Sequence, residues 1–314
     1  MALGANGTAA APYRIVMGAG ATGSSSNGTE AVAIGRSASA AARKGVAVGP
    51  RVMLASTADL SVAVGSGAVA GSGAAAAVSI GAGSSAHAPY SIMMAAGATA
   101  SSTNGTESVA IGRSATANQP GAIAIGPCAV IDGDQYSPSD NAVAIGSGAY
   151  VSSGSFGGVA LGRNTYVFSG PSALALGDGV RSSNRGCISV GGNSWAGSTA
   201  EHAQCIALGD LARATHNMAV ALGLGSVASA VAALGIGPNS SAAANWGVVL
   251  GAQAWAGPGA AYAITMGYLA SANASAIVLN AQGSELSSGS TSGFFVAPVR
   301  GDAASTPVLT YLTL

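Results

Sequence analysis

An all-β solenoid of about nineteen two-strand coils is the fold this sequence predicts. Three observations predict it: a short unit that recurs along the chain, a second alternation inside each unit, and a composition poor in large and charged side chains. The unit is aliphatic, small, aliphatic, glycine. It stands at Val32-Ala33-Ile34-Gly35, Val46-Ala47-Val48-Gly49, Val143-Ala144-Ile145-Gly146 and Val220-Ala221-Leu222-Gly223, among others. Nineteen anchor positions follow this pattern and seventeen hold Gly, Ala95 and Asn280 being the exceptions. Repetition at a fixed short period is the mark of a stacked architecture, in which no single unit buries enough surface to stand alone. A larger duplication overlies the unit: residues 13–50 recur at 90–127, both copies carrying Asn-Gly-Thr-Glu and then Val-Ala-Ile-Gly-Arg-Ser-Ala.

Each element of the coil follows in order. Aliphatic, small, aliphatic is period-2 alternation rich in β-branched residues, which predicts a short first strand. The anchor glycine turns the corner, where a residue without Cβ takes positive φ without strain. Three and five residues beyond the anchor, small or aliphatic residues recur, as at Ala38 and Ala40 or Ala149 and Val151, while the position between them varies freely. That predicts a second strand with its variable position facing solvent. Differences in coil length fall in the second turn, with charges such as Glu30, Arg43, Lys44 and Asp59.

The position between the two aliphatics is Ala in most coils and never charged. Read as the outward position of the first strand, it predicts a long face packed against another chain. The residues placed on it are Ala33, Ala47, Ala63, Ala110, Ala124, Ala144, Ala160, Ala175, Ala207 and Ala221. The variable position of the second strand carries Tyr150, Tyr166, Arg181, Trp195 and Arg213 in five successive coils, with Trp255 in the same register further on. Aromatics and Arg in a row on a solvent face make a candidate ligand or receptor surface; a second contact surface within an oligomer, or plain surface variation, remains the alternative.

Composition narrows the function classes. Only 7% of residues are charged and 49% are hydrophobic, which excludes a disordered chain of high charge. The 48 glycines do not fall at every third position, so collagen is excluded. Formal net charge is zero, and no basic patch exists to neutralise a phosphate backbone, so no nucleic-acid partner is expected. Residues 214–284 contain no Asp, Glu, Lys or Arg, yet Gly, Pro, Ser and Asn interrupt them too often for a membrane-spanning helix. Met1-Ala2-Leu3-Gly4 does not read as the start of a secretory signal.

No catalytic, cofactor or metal constellation is expected. Gly18-Ala19-Gly20-Ala21-Thr22-Gly23 spells a dinucleotide-binding fingerprint, but a serine-rich turn follows where a helix is required. His87, His202 and His216 lack metal-ligand spacing. The three cysteines, Cys128, Cys187 and Cys205, are too few and odd in number for a disulfide framework. Cys187 and Cys205 share a register in adjacent coils, within reach of a disulfide or as two small buried thiols, the second being preferred. Arg300-Gly301-Asp302 is read as a coincidence of turn residues.

The unit A-[VI]-A-[IL]-G-x-x-A-x-A at about fourteen residues, running from residue 1 to about 280, resembles the head repeats of the YadA-like trimeric adhesins. The resemblance implies a left-handed parallel β-roll, three chains about one axis, and adhesion. The chain as read shows no secretory signal, heptad stalk or membrane-anchor strands of those adhesins. Its segment 281–314, with Gly293-Phe294-Phe295-Val296-Ala297-Pro298-Val299-Arg300 and Val308-Leu309-Thr310-Tyr311, resembles a segment following such repeats in fibre proteins of phages and large DNA viruses. The expectation is therefore a homotrimeric, non-enzymatic virion fibre at the particle surface. Such a fibre would bind other virion proteins through a terminus and a host receptor or glycan along its length. The alternative is the head of a bacterial surface adhesin.

Overall fold

A computed structural model describes residues 1–10, 12–23, 30–100, 106–133, 136–197 and 204–298. All regular structure among them is β, in strands of two to five residues. The fold is a parallel β-solenoid. Its residues form two compact units, Met1–Asn193 and Ser194–Leu314.

In the first unit each coil contributes one strand to each of two parallel sheets. The first-strand sheet is built from segments such as Val109–Ile111, Ile123–Ile125, Val143–Ile145 and Val159–Leu161. They stack residue on residue, Ala110 beside Ala124, Ala124 beside Ala144, and Ala144 beside Ala160. The second-strand sheet is built likewise, with Val130 beside Tyr150 and Tyr150 beside Tyr166. Turn residues extend both ladders: the Gly146 N–H donates to Ile125 O and the Gly148 N–H to Pro127 O. Every coil thus repeats the hydrogen bonds of its neighbours, which is how short strands become stable in numbers.

The second unit repeats the plan. Ile206–Leu208, Val220–Leu222, Leu234–Ile236 and Val248–Leu250 form its first-strand ladder. The strand Gly293–Ala297 joins that ladder, Phe294 lying beside Ile277 and Val296 beside Leu279. Within the segment read as a separate C-terminal piece, these five residues therefore extend the solenoid sheet. At Asn280 the last anchor lies inside the strand Ala276–Asn280, and its side-chain amide donates to Tyr268 O and Ser284 O instead of forming a glycine corner.

The interior is thin and filled mainly by alanine. Ala38, Ala40, Ala68, Ala70, Ala149 and their equivalents are fully buried. Where a larger residue enters, a glycine makes room: a Cβ on Gly45 would lie 2.7 Å from Leu54 Cδ1, and one on Gly158 would lie 3.1 Å from Val167 Cγ1. Volume is conserved in pairs, as close packing requires. Several buried hydroxyls find partners, Ser79 with Ser84 at 2.8 Å and Ser182 donating to Cys187 O at 2.9 Å, while those of Ser108, Ser240 and Thr265 have none among the described residues. Cys187 is buried in the first unit and Cys205 in the second, where its Sγ donates to His216 O at 2.9 Å. Gly18–Ala21 turns the corner into the strand Thr22–Gly23, and the serine-rich turn expected after it, 24–28, lies outside the described residues.

The anchor glycines are required by close approach. Gly126 has φ of 127°, and a Cβ there would lie 2.5 Å from Gly146 O in the next coil. Ala95 holds the same corner with φ of 120° in spite of its Cβ. Non-glycine residues in this region carry strain of roughly 1–3 kcal/mol. Ala95→Gly is expected to raise stability by about 1 kcal/mol, the relief of strain being partly offset by the freer unfolded chain. Thermal unfolding of the two proteins side by side checks it; an unchanged or lower midpoint contradicts it.

Candidate functional site: two outward faces

The first strand presents its residues opposite to the sequence expectation. Ala33, Ala47, Ala63, Ala110, Ala124, Ala144, Ala160, Ala175, Ala207 and Ala221 are all fully buried within their own chain. They line the coil interior and face no partner. The physical reason is size. The two sheets approach too closely for a branched side chain in every coil, so the small residue turns inward and the two aliphatics turn outward.

That inversion exposes an apolar face in each unit. In the first unit its rows include Val62 and Val64, Val109 and Ile111, Ile123 and Ile125, and Val143 and Ile145, all at least partly exposed. In the second unit Ile206 and Leu208, Ile264 and Met266, and Ile277 and Leu279 continue the pattern there. Ile145 is 38% exposed and Leu176 41%. In each unit two apolar columns stand outward uninterrupted by charge, and a monomer rarely leaves such contiguous apolar rows to water.

The second strand behaves as expected, with small or aliphatic residues inward and the variable position outward. In the first unit Tyr150, Tyr166 and Arg181 stand side by side on successive coils. Phe168 joins them. Its ring stacks parallel to that of Tyr166 with centroids 5.6 Å apart, and lies 6.1 Å from that of Tyr150; the two tyrosine rings are 6.4 Å apart. Sequence reading missed Phe168 because it lies six residues past its anchor, where most coils have already turned. The signal available was its i, i+2 relation to Tyr166, which places both on one face of a strand. The Tyr150 hydroxyl donates to Asp132 Oδ2 at 3.4 Å, and burial, then the Asp132 charge and hydrogen bond, push the phenol above its ordinary value.

The other three predicted residues belong to the second unit. Trp195 and Arg213 are register neighbours and both exposed. Trp255 is not beside them: Val227 and Ser241 stand between it and Arg213 in the ladder. The structure therefore assembles a three-ring cluster in one unit, one Trp-Arg pair in the other, and leaves Trp255 apart.

The second turn carries ion pairs that link successive coils, Arg43 with Asp59 at 3.3 Å and Lys44 with Glu30 at 3.7 Å. Both pairs are solvent-exposed, so they tune the surface more than they hold the fold. Among the described residues no group of His, Cys, Asp and Glu is placed to hold a metal ion. Among them, too, no helix is long and apolar enough to cross a membrane.

Residues 26–51 and 104–127 each match the YadA head domain repeat. The chain carries YadA head repeats. The two matches fall on the two arms of the internal duplication, so the block that was copied includes one recognisable YadA head unit. The coils outside the matches share its strand ladder and its alternation of buried and exposed positions. YadA head repeats build adhesin-type heads and fibres, which are structural and surface-exposed. No curated protein matches the chain.

Proposed function

We propose that this chain is a homotrimeric adhesive fibre whose three copies meet through the aliphatic columns of the first-strand sheet. The observation that supports this most directly is the apolar face itself. Two unbroken columns of Val, Ile, Leu and Met stand outward in each unit, and water is a poor neighbour for them. A repeating face is matched naturally by copies of itself, because every coil offers the same pair of residues at the same spacing. YadA head domains form homotrimers in general, which supports three as the number.

The fibre is proposed to stand on a virion. The resemblance of 293–300 and 308–311 to segments of viral fibre proteins supports this over a bacterial surface. Residues 299–314, and with them Arg300-Gly301-Asp302, lie outside the described residues. Light scattering on the purified chain tests the assembly. A mass of three times 29.6 kDa is expected. A stable monomer with its apolar columns exposed overturns the reading.

A further inference from the structure

We propose that the ring cluster of Tyr150, Tyr166 and Phe168 is a binding platform for a neutral oligosaccharide. Three observations converge on one surface. The rings are held together across two adjacent coils, with centroids 5.6 to 6.4 Å apart. In the preceding coils the same outward position holds small or aliphatic residues such as Ser39, Val69, Ser85, Thr99 and Thr116. Aromatics make up only 5% of the chain, so three in contact on one face is a local concentration the fold does not require.

The polar groups around the rings complete the chemistry. Asp132, exposed, offers carboxylate oxygens on one side, where the Tyr150 hydroxyl donates to Oδ2 at 3.4 Å and the Gly133 N–H to Oδ1 at 2.9 Å. Arg181, exposed and without an ion pair among the described residues, offers donors on the other. A pyranose has an apolar face of C–H bonds and an equatorial rim of hydroxyls. Its C–H bonds meet the negative faces of the rings, and its hydroxyls reach a charged acceptor and a charged donor. Among the described residues beside the rings, one carboxylate and one guanidinium leave no surplus positive charge for a polyanion, and a single arginine does not make a phosphate-binding track. The rim is also rich in hydroxyl residues, with Ser183 beside Phe168 in the ladder, where an apolar peptide would want apolar neighbours.

The platform lies on the second-strand sheet, across the coil interior from the aliphatic columns. It therefore stays open if three chains join through those columns, and to that extent the proposal rests on the fibre reading. The two are separable by experiment. The full chain is applied to an immobilised array of neutral di- to hexasaccharides built from glucose, galactose, mannose and N-acetylhexosamines, with sialylated and sulfated members alongside. At least one neutral member is expected to bind. Phe168→Ala and Tyr166→Ala are each expected to weaken it about tenfold, since a ring contact is worth on that order. Trp255→Ala is expected to leave it unchanged. Thermal unfolding and scattering mass are recorded for every variant. Failure of every neutral saccharide to bind overturns the proposal, as does binding confined to acidic members or binding indifferent to both substitutions. If either substitution lowers the oligomer mass, the rings belong to a subunit contact and the proposal falls. A monomeric wild type that still binds through these rings sinks the trimer and leaves the platform standing.

Discussion

Gly126→Val is expected to cost at least about 3 kcal/mol, enough to open the coils around it at moderate temperature. Two effects add. The corner has φ of 127°, where an L side chain is strained by roughly 1–3 kcal/mol. The new Cβ would also lie 2.5 Å from Gly146 O and 2.7 Å from Gly146 C, both rigid backbone of the next coil. No rotamer change relieves a backbone contact, so the ladder itself must part. Its next bonds, Gly126 N–H to Ile111 O and Gly146 N–H to Ile125 O, share the distorted corner. Ser66→Val makes a matched control, because Ser66 follows its anchor on an exposed turn. Chemical unfolding of the two variants should separate them clearly. Equal stability would show that the corner yields more easily than its geometry implies.

The second large effect concerns assembly. Ile125→Asp with Ile145→Asp places two carboxylates side by side on the aliphatic columns, since these residues are register neighbours. Both side chains already contact solvent, so the single chain tolerates the change. At a packed subunit contact the same carboxylates have no cationic partner, and desolvating a charge without one is prohibitive. The expected outcome is a mass of 29.6 kDa with an unchanged β spectrum, against three times that mass for the parent. Ala144→Asp should do the opposite kind of damage: Ala144 is fully buried inside the coil, so the fold rather than the assembly is lost. A double variant that keeps the parent mass would remove the aliphatic face from consideration as the contact.

The contrast between Ala144 and Ile145 also shows how far the sequence can be read. Period-2 alternation locates the strand and its two faces, and a glycine that recurs at each corner locates the turn. Alternation alone does not say which face is inside. The usual cue, polar outward and apolar inward, is missing here because both faces of the first strand are apolar. Residue size carried the answer. The small residues at Ala38 and Ala40 were placed inward, and a coil with small residues on one wall needs small residues on the other. Ala33 therefore belonged inside with them. The binding face was legible in part: Tyr150, Tyr166 and Arg181 sit where the variable position of the second strand puts them. Phe168 was not, because the coil extends its second strand by one residue there. The separation of Trp255 from Trp195 depended on counting intervening coils, each of which the ladder makes explicit.

The hydrogen bonds described for one coil are the same as those for the next, and this gives the first unit an unusual kind of tolerance. A block of coils enters or leaves without asking anything new of its flanks, because each end of the block presents the edge that its neighbour already expects. The copy at 90–127 of residues 13–50 records one such event. It set Met94 beside Ile111 as Met17 is set beside Ile34. Both aliphatic columns arrived in line with the rest. Length in this molecule is thus inherited in whole coils, and reach can change over generations while every lateral contact keeps its address.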